Sequence, residues 1–121
     1  MTRVNGASSR RYTFGQGVAE IVPDADSTRI VLAGDLDMST VGQARPIIER
    51  ACESRPEKVV VDLSAVEFVD SHGLHLVVTT HRALTATGCV LVMLPPPEPV
   101  RRAFEITGLD GLFGDPQRTA E

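Results

Sequence analysis

Residues 59–84 read VVVDLSAVEFVDSHGLHLVVTTHRAL. The run Val59-Val60-Val61 is apolar at consecutive positions and ends at Asp62, which predicts a strand buried on both faces, as in a parallel sheet covered by helices. A short connector containing Phe68 and Val69 leads to Asp70-Ser71-His72-Gly73. Beyond it Leu74, Val77, Val78, His81 and Leu84 recur at helical spacing, which predicts a helix with one face toward a core. This order places Asp70 and Ser71 where unpaired backbone N–H groups emerge at a helix start. A hydroxyl at Ser71 either caps that helix or carries or meets a phosphate, and Asp70 is equally suited to the cap.

On the N-terminal side, Thr28 to Ala33 reads as a strand ended by Gly34, after a turn at Pro23-Asp24-Ala25-Asp26-Ser27. One or two short strands are expected between Tyr12 and Val22. Gly15-Gln16-Gly17 lacks the third glycine and following helix of a nucleotide-binding loop. After Asp35-Leu36-Asp37-Met38-Ser39-Thr40, apolar residues at Val41, Ala44, Ile47, Ile48, Ala51 and Cys52 predict a second helix. Pro46 leaves two options: a helix from Thr40 kinked at the proline, or a regular helix starting near Arg45 with Pro46 at its first position. On the C-terminal side, Thr87-Gly88 predicts a helix stop and Val90 to Leu94 another buried strand. Pro95-Pro96-Pro97 cannot join a ladder. Pro99 suits the start of a last helix carrying Val100, Ala103, Phe104 and Leu109. Thr107-Gly108 ends it, and Leu112-Phe113 packs back on the core.

Strands separated by helices imply right-handed crossovers and an α/β fold whose sheet is mixed but mostly parallel. A single domain is expected over residues 11–113, with flexible segments at 1–10 and 114–121. The two loops at Gly34 to Thr40 and Asp70 to Gly73 both leave strand C-termini, where such sheets meet ligands and partners. They are expected side by side, with Asp35, Asp37 and Asp70 forming a small acidic patch around Ser71.

The chain has 121 residues, is 42% hydrophobic and 23% charged, and carries a formal net charge of −4. That balance suits an ordinary globular protein and argues against non-specific nucleic-acid binding, which needs a basic surface. No apolar stretch approaches the roughly 20 residues of a membrane helix, and the N-terminus lacks a secretory h-region. Cys52 and Cys89 form no metal-type spacing and read as reduced thiols of a cytoplasmic protein. His72, His75 and His81 share a helix, yet His81 falls on its apolar stripe, so no metal site is assigned. Asp70-Ser71-His72 does not make a hydrolase, because triad members converge from separate elements and a nucleophile elbow needs glycine two residues before the serine.

Gly34-Asp35-Leu36-Asp37 followed by a helix, then VVVDLS, then Phe68-Val69-Asp70-Ser71-x-Gly73-Leu74, resembles the anti-sigma-factor antagonists, single-domain STAS proteins of bacteria. Val100-Arg101-Arg102-Ala103-Phe104 and Thr107-Gly108-Leu109 are similar to the last helix of that family, so the resemblance spans roughly Thr28 to Phe113. It implies a STAS domain without cofactor, metal or enzymatic activity. It further implies that Ser71 is the phosphoacceptor and that an anti-sigma factor with serine kinase activity is the partner, with a phosphatase to reverse the mark. Asp37 maps to the acidic loop residue lining the site, and Asp35, Ser39, Thr40, Asp70, His72 and Gly73 complete the expected surroundings. The chain departs from the family at His72 and His75, where small residues are usual. An imidazole beside the acceptor hinders a kinase, changes its specificity or pairs with the phosphate once made. Two other readings stay open: a STAS docking subunit of another complex without phosphorylation, and a small-anion or nucleotide-binding module using the helix start at Ser71.

Overall fold

The computed structural model describes residues 9–14 and 17–113. The elements run β1 (Arg10–Phe14), β2 (Gly17–Pro23), β3 (Ser27–Leu36), α1 (Val41–Ala51), β4 (Lys58–Val69), α2 (Ser71–Ala86), β5 (Val90–Leu94), α3 (Val100–Ile106) and a 3-10 turn at Asp110–Leu112. Segment 114–121, expected to be flexible, and most of 1–10 lie outside the described residues, as do Gly15 and Gln16. Arg10 is already in β1.

One five-stranded sheet has the order β1-β2-β3-β4-β5. The first two pairings are antiparallel and the last two parallel, so the sheet is mixed. Alternation places Ile30 beside Val61 and Val61 beside Met93 on one face, and Ala19 and Ile21 of β2 extend that row. All five are buried. Strands β3, β4 and β5 are laid down in order through helical crossovers, which are right-handed in nearly all such units. That rule puts α1 and α2 on the same face, and the two helices are in contact. They bury Ala44 and Ile48, and Leu76, Val77 and Leu84, against it. From α3, Val100 and Phe104 join the same core, and Phe104 meets Phe113 edge-on with ring centroids 4.9 Å apart.

Three sequence expectations change, and the choice left open at Pro46 is decided. The strand predicted to stop at Asp62 runs on to Val69. Asp62 stays inside it because its carboxylate is satisfied there, accepting from Arg29 Nη2 at 2.6 Å and from the Ser64 backbone N–H at 2.9 Å. The strand predicted to end at Gly34 likewise continues to Leu36. Between Val31 and Ala33, and again between Gly34 and Asp35, β4 places an extra residue opposite β3. Gly34, on β3 opposite these bulges, has φ of +89°, a left-handed conformation that glycine takes without steric cost. Of the two options at Pro46, the helix starting next to Thr40 holds: α1 begins at Val41 with the proline inside it. Gly42 and Pro46 are both exposed, so the Gly42 carbonyl that loses its intrahelical donor is met by water. Last, the buried face of α2 is Gly73, Leu76, Val77, Thr80 and Leu84, a stripe rotated from the one read through Val78 and His81. The stops at Gly88 and Gly108 hold, with φ of +83° and +77°.

Candidate functional site

The C-terminal ends of β3 and β4 sit together, since Leu36 pairs with Val69. The chain leaves β3 into the turn 37–40 and leaves β4 directly into α2. The turn closes on itself. Asp37 Oδ1 accepts from the Ser39 backbone N–H at 2.9 Å and from the Ser39 hydroxyl at 2.7 Å. The buried Thr40 hydroxyl accepts from the Asp37 N–H and donates to the Asp35 carbonyl, each at 2.9 Å. Ser39 and Thr40 thus hold the shape of the turn, and Thr40 offers no surface to a partner.

Asp70 ties the two loops together. Its Oδ1 caps α2, accepting from the backbone N–H groups of His72 at 2.8 Å and Gly73 at 3.0 Å. Its Oδ2 reaches across and accepts from the Met38 N–H at 2.9 Å. The His72 Nδ1 lies 3.7 Å from the same Oδ2. Partial burial pushes the Asp70 carboxyl up, but the three backbone donors and the neighbouring imidazole outweigh it, and the group sits below the ordinary carboxylate range. Three donors aimed at one carboxylate favour its charged form.

With the cap filled by Asp70, Ser71 is the first residue of α2 and is exposed. Of the two candidates for the cap, Asp70 takes it and the Ser71 hydroxyl does not. His72 and His75 are exposed beside it. Gly73 is buried, and its place is architectural: a Cβ there would stand 2.1 Å from the Leu36 carbonyl oxygen and 2.6 Å from Val69 Cγ2. Asp35 is half-buried at the end of β3, paired with Phe68.

Two residues that sequence reasoning did not single out complete the surface. Met38 is 71% exposed and Phe68 50% exposed. Met38 is bonded through its backbone to Asp70, and Phe68 precedes Asp70 by two residues. A large apolar side chain in an otherwise polar, acidic turn was the available signal for Met38. Phe68 was hidden by the bulge, which shifts the alternation of β4. Among the described residues no cluster of three or more His, Cys, Asp or Glu is placed to hold a metal, and no helix is long and apolar enough to cross a membrane.

The architecture and this pair of loops define a class that comparison with known proteins makes specific. A family model described as "STAS domain" matches residues 18–121. The anti-sigma-B factor antagonist of Staphylococcus epidermidis is 32% identical over 94 residues, covering 78% of this chain and 87% of that protein. The crystal structure of an anti-sigma factor antagonist from Mycobacterium paratuberculosis superposes with a TM-score of 0.70 at 28% identity, over 80% of this chain and 82% of that one. SpoIIAA, solved in unphosphorylated and phosphorylated forms, shares the fold at 22% identity, with TM-scores of 0.61 and 0.56 and 93% of this chain covered. The chain belongs to the STAS-domain family of anti-sigma-factor antagonists.

Proposed function

We propose that the protein binds an anti-sigma factor with serine kinase activity while Ser71 is unmodified, and lets go when that serine is phosphorylated. It thereby regulates sigma-factor-dependent transcription in the cytoplasm, by contact and not by catalysis, without a cofactor. The observation that carries this reading is the division of labour at the start of α2: Asp70 does the capping, and the Ser71 hydroxyl stands exposed on the first turn. The exposed Met38 sits in the loop bonded to Asp70, and the exposed Phe68 pairs with Asp35 at the neighbouring strand ends; with Asp37 and Asp70 they offer mixed apolar and acidic groups of the kind a protein partner covers.

The switch needs no refolding. Phosphorylation adds about −1.5 to −2 charges at neutral pH. The start of α2 stabilises that charge through its dipole, while the neighbouring carboxylates repel it and a docked partner would have to desolvate it. The same properties that make Ser71 reachable make its phosphate disruptive. A phosphatase restores the binding form.

The test is reaction of the purified chain with its anti-sigma factor and ATP, followed by a phosphosite map and by binding measurements on Ser71→Ala and Ser71→Asp. Phosphate on Ser71, binding retained in the alanine variant and lost in the aspartate variant support the reading. Phosphate confined to other residues, or equal binding by both variants, overturns it and leaves a docking subunit that works without modification.

A further inference from the structure

Away from these loops, α1 and α2 enclose a half-open cleft of about 230 Å³. Ile48 of α1 and Cys52 just after it face Ala83 and Leu84 of α2 across it, and Arg45 and Thr79 bridge the two helices. Arg45 is half-buried and donates from Nη1 to Thr79 Oγ1 at 3.1 Å. Thr79 passes its own proton to the Leu76 carbonyl at 3.1 Å, so the arginine is held by an oriented acceptor. A guanidinium has five N–H donors, and among the described residues no carboxylate stands within ion-pair distance of this one. Glu49, one turn on, lines the cleft but is exposed. Burial, with Cys89 nearby, pushes the Cys52 thiol up to about 11, so at neutral pH it is an uncharged part of the wall.

We propose that this cleft is a binding site for a small carboxylate with a compact apolar body, and that its occupancy is transmitted to the Ser71 loops. A carboxylate engages Arg45 through paired, charge-assisted hydrogen bonds, while the apolar body supplies contact atoms that the walls lack. The volume selects the size. An apolar cavity of about 150 Å³ accepts a benzene ring, so this cleft takes a ring plus a short acidic arm and not a nucleotide.

Transmission follows from where the helices begin. Arg45 is about one turn into α1 and Thr79 about two turns into α2, and the two helix starts are joined by the Asp70–Met38 hydrogen bond. A body seated between the helices biases that joint, and by linkage the docking state of the loops alters ligand affinity in return. This half of the inference rests on the function proposed above; the binding site itself does not.

The experiment is an NMR titration of the full ¹⁵N-labelled chain with sodium phenylacetate, using acetate and phenylacetamide as controls. Saturable shifts of the 45–52 and 79–84 amides are expected with phenylacetate and not with acetate. Binding should weaken at least tenfold for phenylacetamide and in Arg45→Gln, tighten in Glu49→Gln, and vanish in Ala83→Leu, which fills the cleft and whose dispersed spectrum reports its folding. Absence of saturable shifts, or an affinity unchanged in both Arg45→Gln and Ala83→Leu, overturns the site. Shifts of the Met38 and Ser71 amides at saturation support transmission, and their silence while the cleft amides move overturns it. Failure of the phosphorylation reading shows separately, in the Ser71 phosphosite map.

Discussion

The two oxygens of Asp70 serve two different elements: Oδ1 caps α2 through the His72 and Gly73 N–H groups, and Oδ2 holds the Met38 N–H of the neighbouring loop at 2.9 Å. One side chain therefore fixes both the start of the helix that carries Ser71 and the turn that carries Met38.

Replacing Asp70 separates these jobs. Asp70→Asn keeps an acceptor for the cap but puts an amide where Met38 needs an acceptor, and it should cost about 1 kcal/mol. Asp70→Ala loses both and should cost about 2 kcal/mol. Denaturant midpoints give the stabilities. Amide exchange at Met38 gives the local effect, which should accelerate in both variants, whereas exchange at His72 and Gly73 should accelerate mainly in the alanine variant.

Acid should weaken the fold through Asp70 and Asp62 together. In Asp62 burial raises the carboxyl's pKa, but the Ser64 and Arg29 hydrogen bonds and the Arg29 charge bring it below the ordinary value of 3.8. Asp70 is lowered in the same direction. A carboxyl depressed on folding adds stability above its unfolded pKa and loses it as pH falls through the folded one. Urea midpoints should hold steady down to about pH 5 and fall below about pH 4. Asp62→Asn should be less stable at neutral pH and show a shallower decline in acid. An unchanged acid slope in that variant would assign the decline elsewhere.

Gly73→Ala should be among the most damaging single-methyl changes in the chain. The added carbon meets the Leu36 carbonyl, a strand backbone atom that cannot move aside. A loss of about 3 kcal/mol, the upper end of overpacking costs, is expected in denaturant titration. Gly42→Ala is the control: a Cβ there has open space, and the helix should gain a few tenths to about 1 kcal/mol.

Met38→Ala and Phe68→Ala should leave stability within about 0.5 kcal/mol, as exposed side chains do. If the proposed docking surface is right, each should weaken binding of the anti-sigma factor by roughly tenfold, about 1.4 kcal/mol and more than most interface truncations cost. Calorimetric titration of both variants against the partner checks this, and undiminished affinity in the pair would remove the two residues from the interface.

Local sequence determined the kinds of element and much of their order. Val59-Val60-Val61 is strand-like, Asp70 precedes a helical repeat, and Gly88 and Gly108 stop helices, because each of these signals acts within a few residues along the chain. The family resemblance was legible for the same reason, since Asp70-Ser71-x-Gly73-Leu74 is a contiguous stretch. Only the tertiary structure decided what depends on distant partners. Asp62 looked like a strand end until Arg29, 33 residues earlier, was seen to pair with it. Pro46 became tolerable inside α1 because the lost hydrogen bond falls where water replaces it. The extra residues of β4, the burial of Thr40, the exposure of Phe68 and the Asp70–Met38 bond are set by strand register and by loops brought together across the sheet. Gly73 shows the division most directly: its sequence neighbours explain a helix start, but the Leu36 carbonyl explains why that position has no room for a side chain.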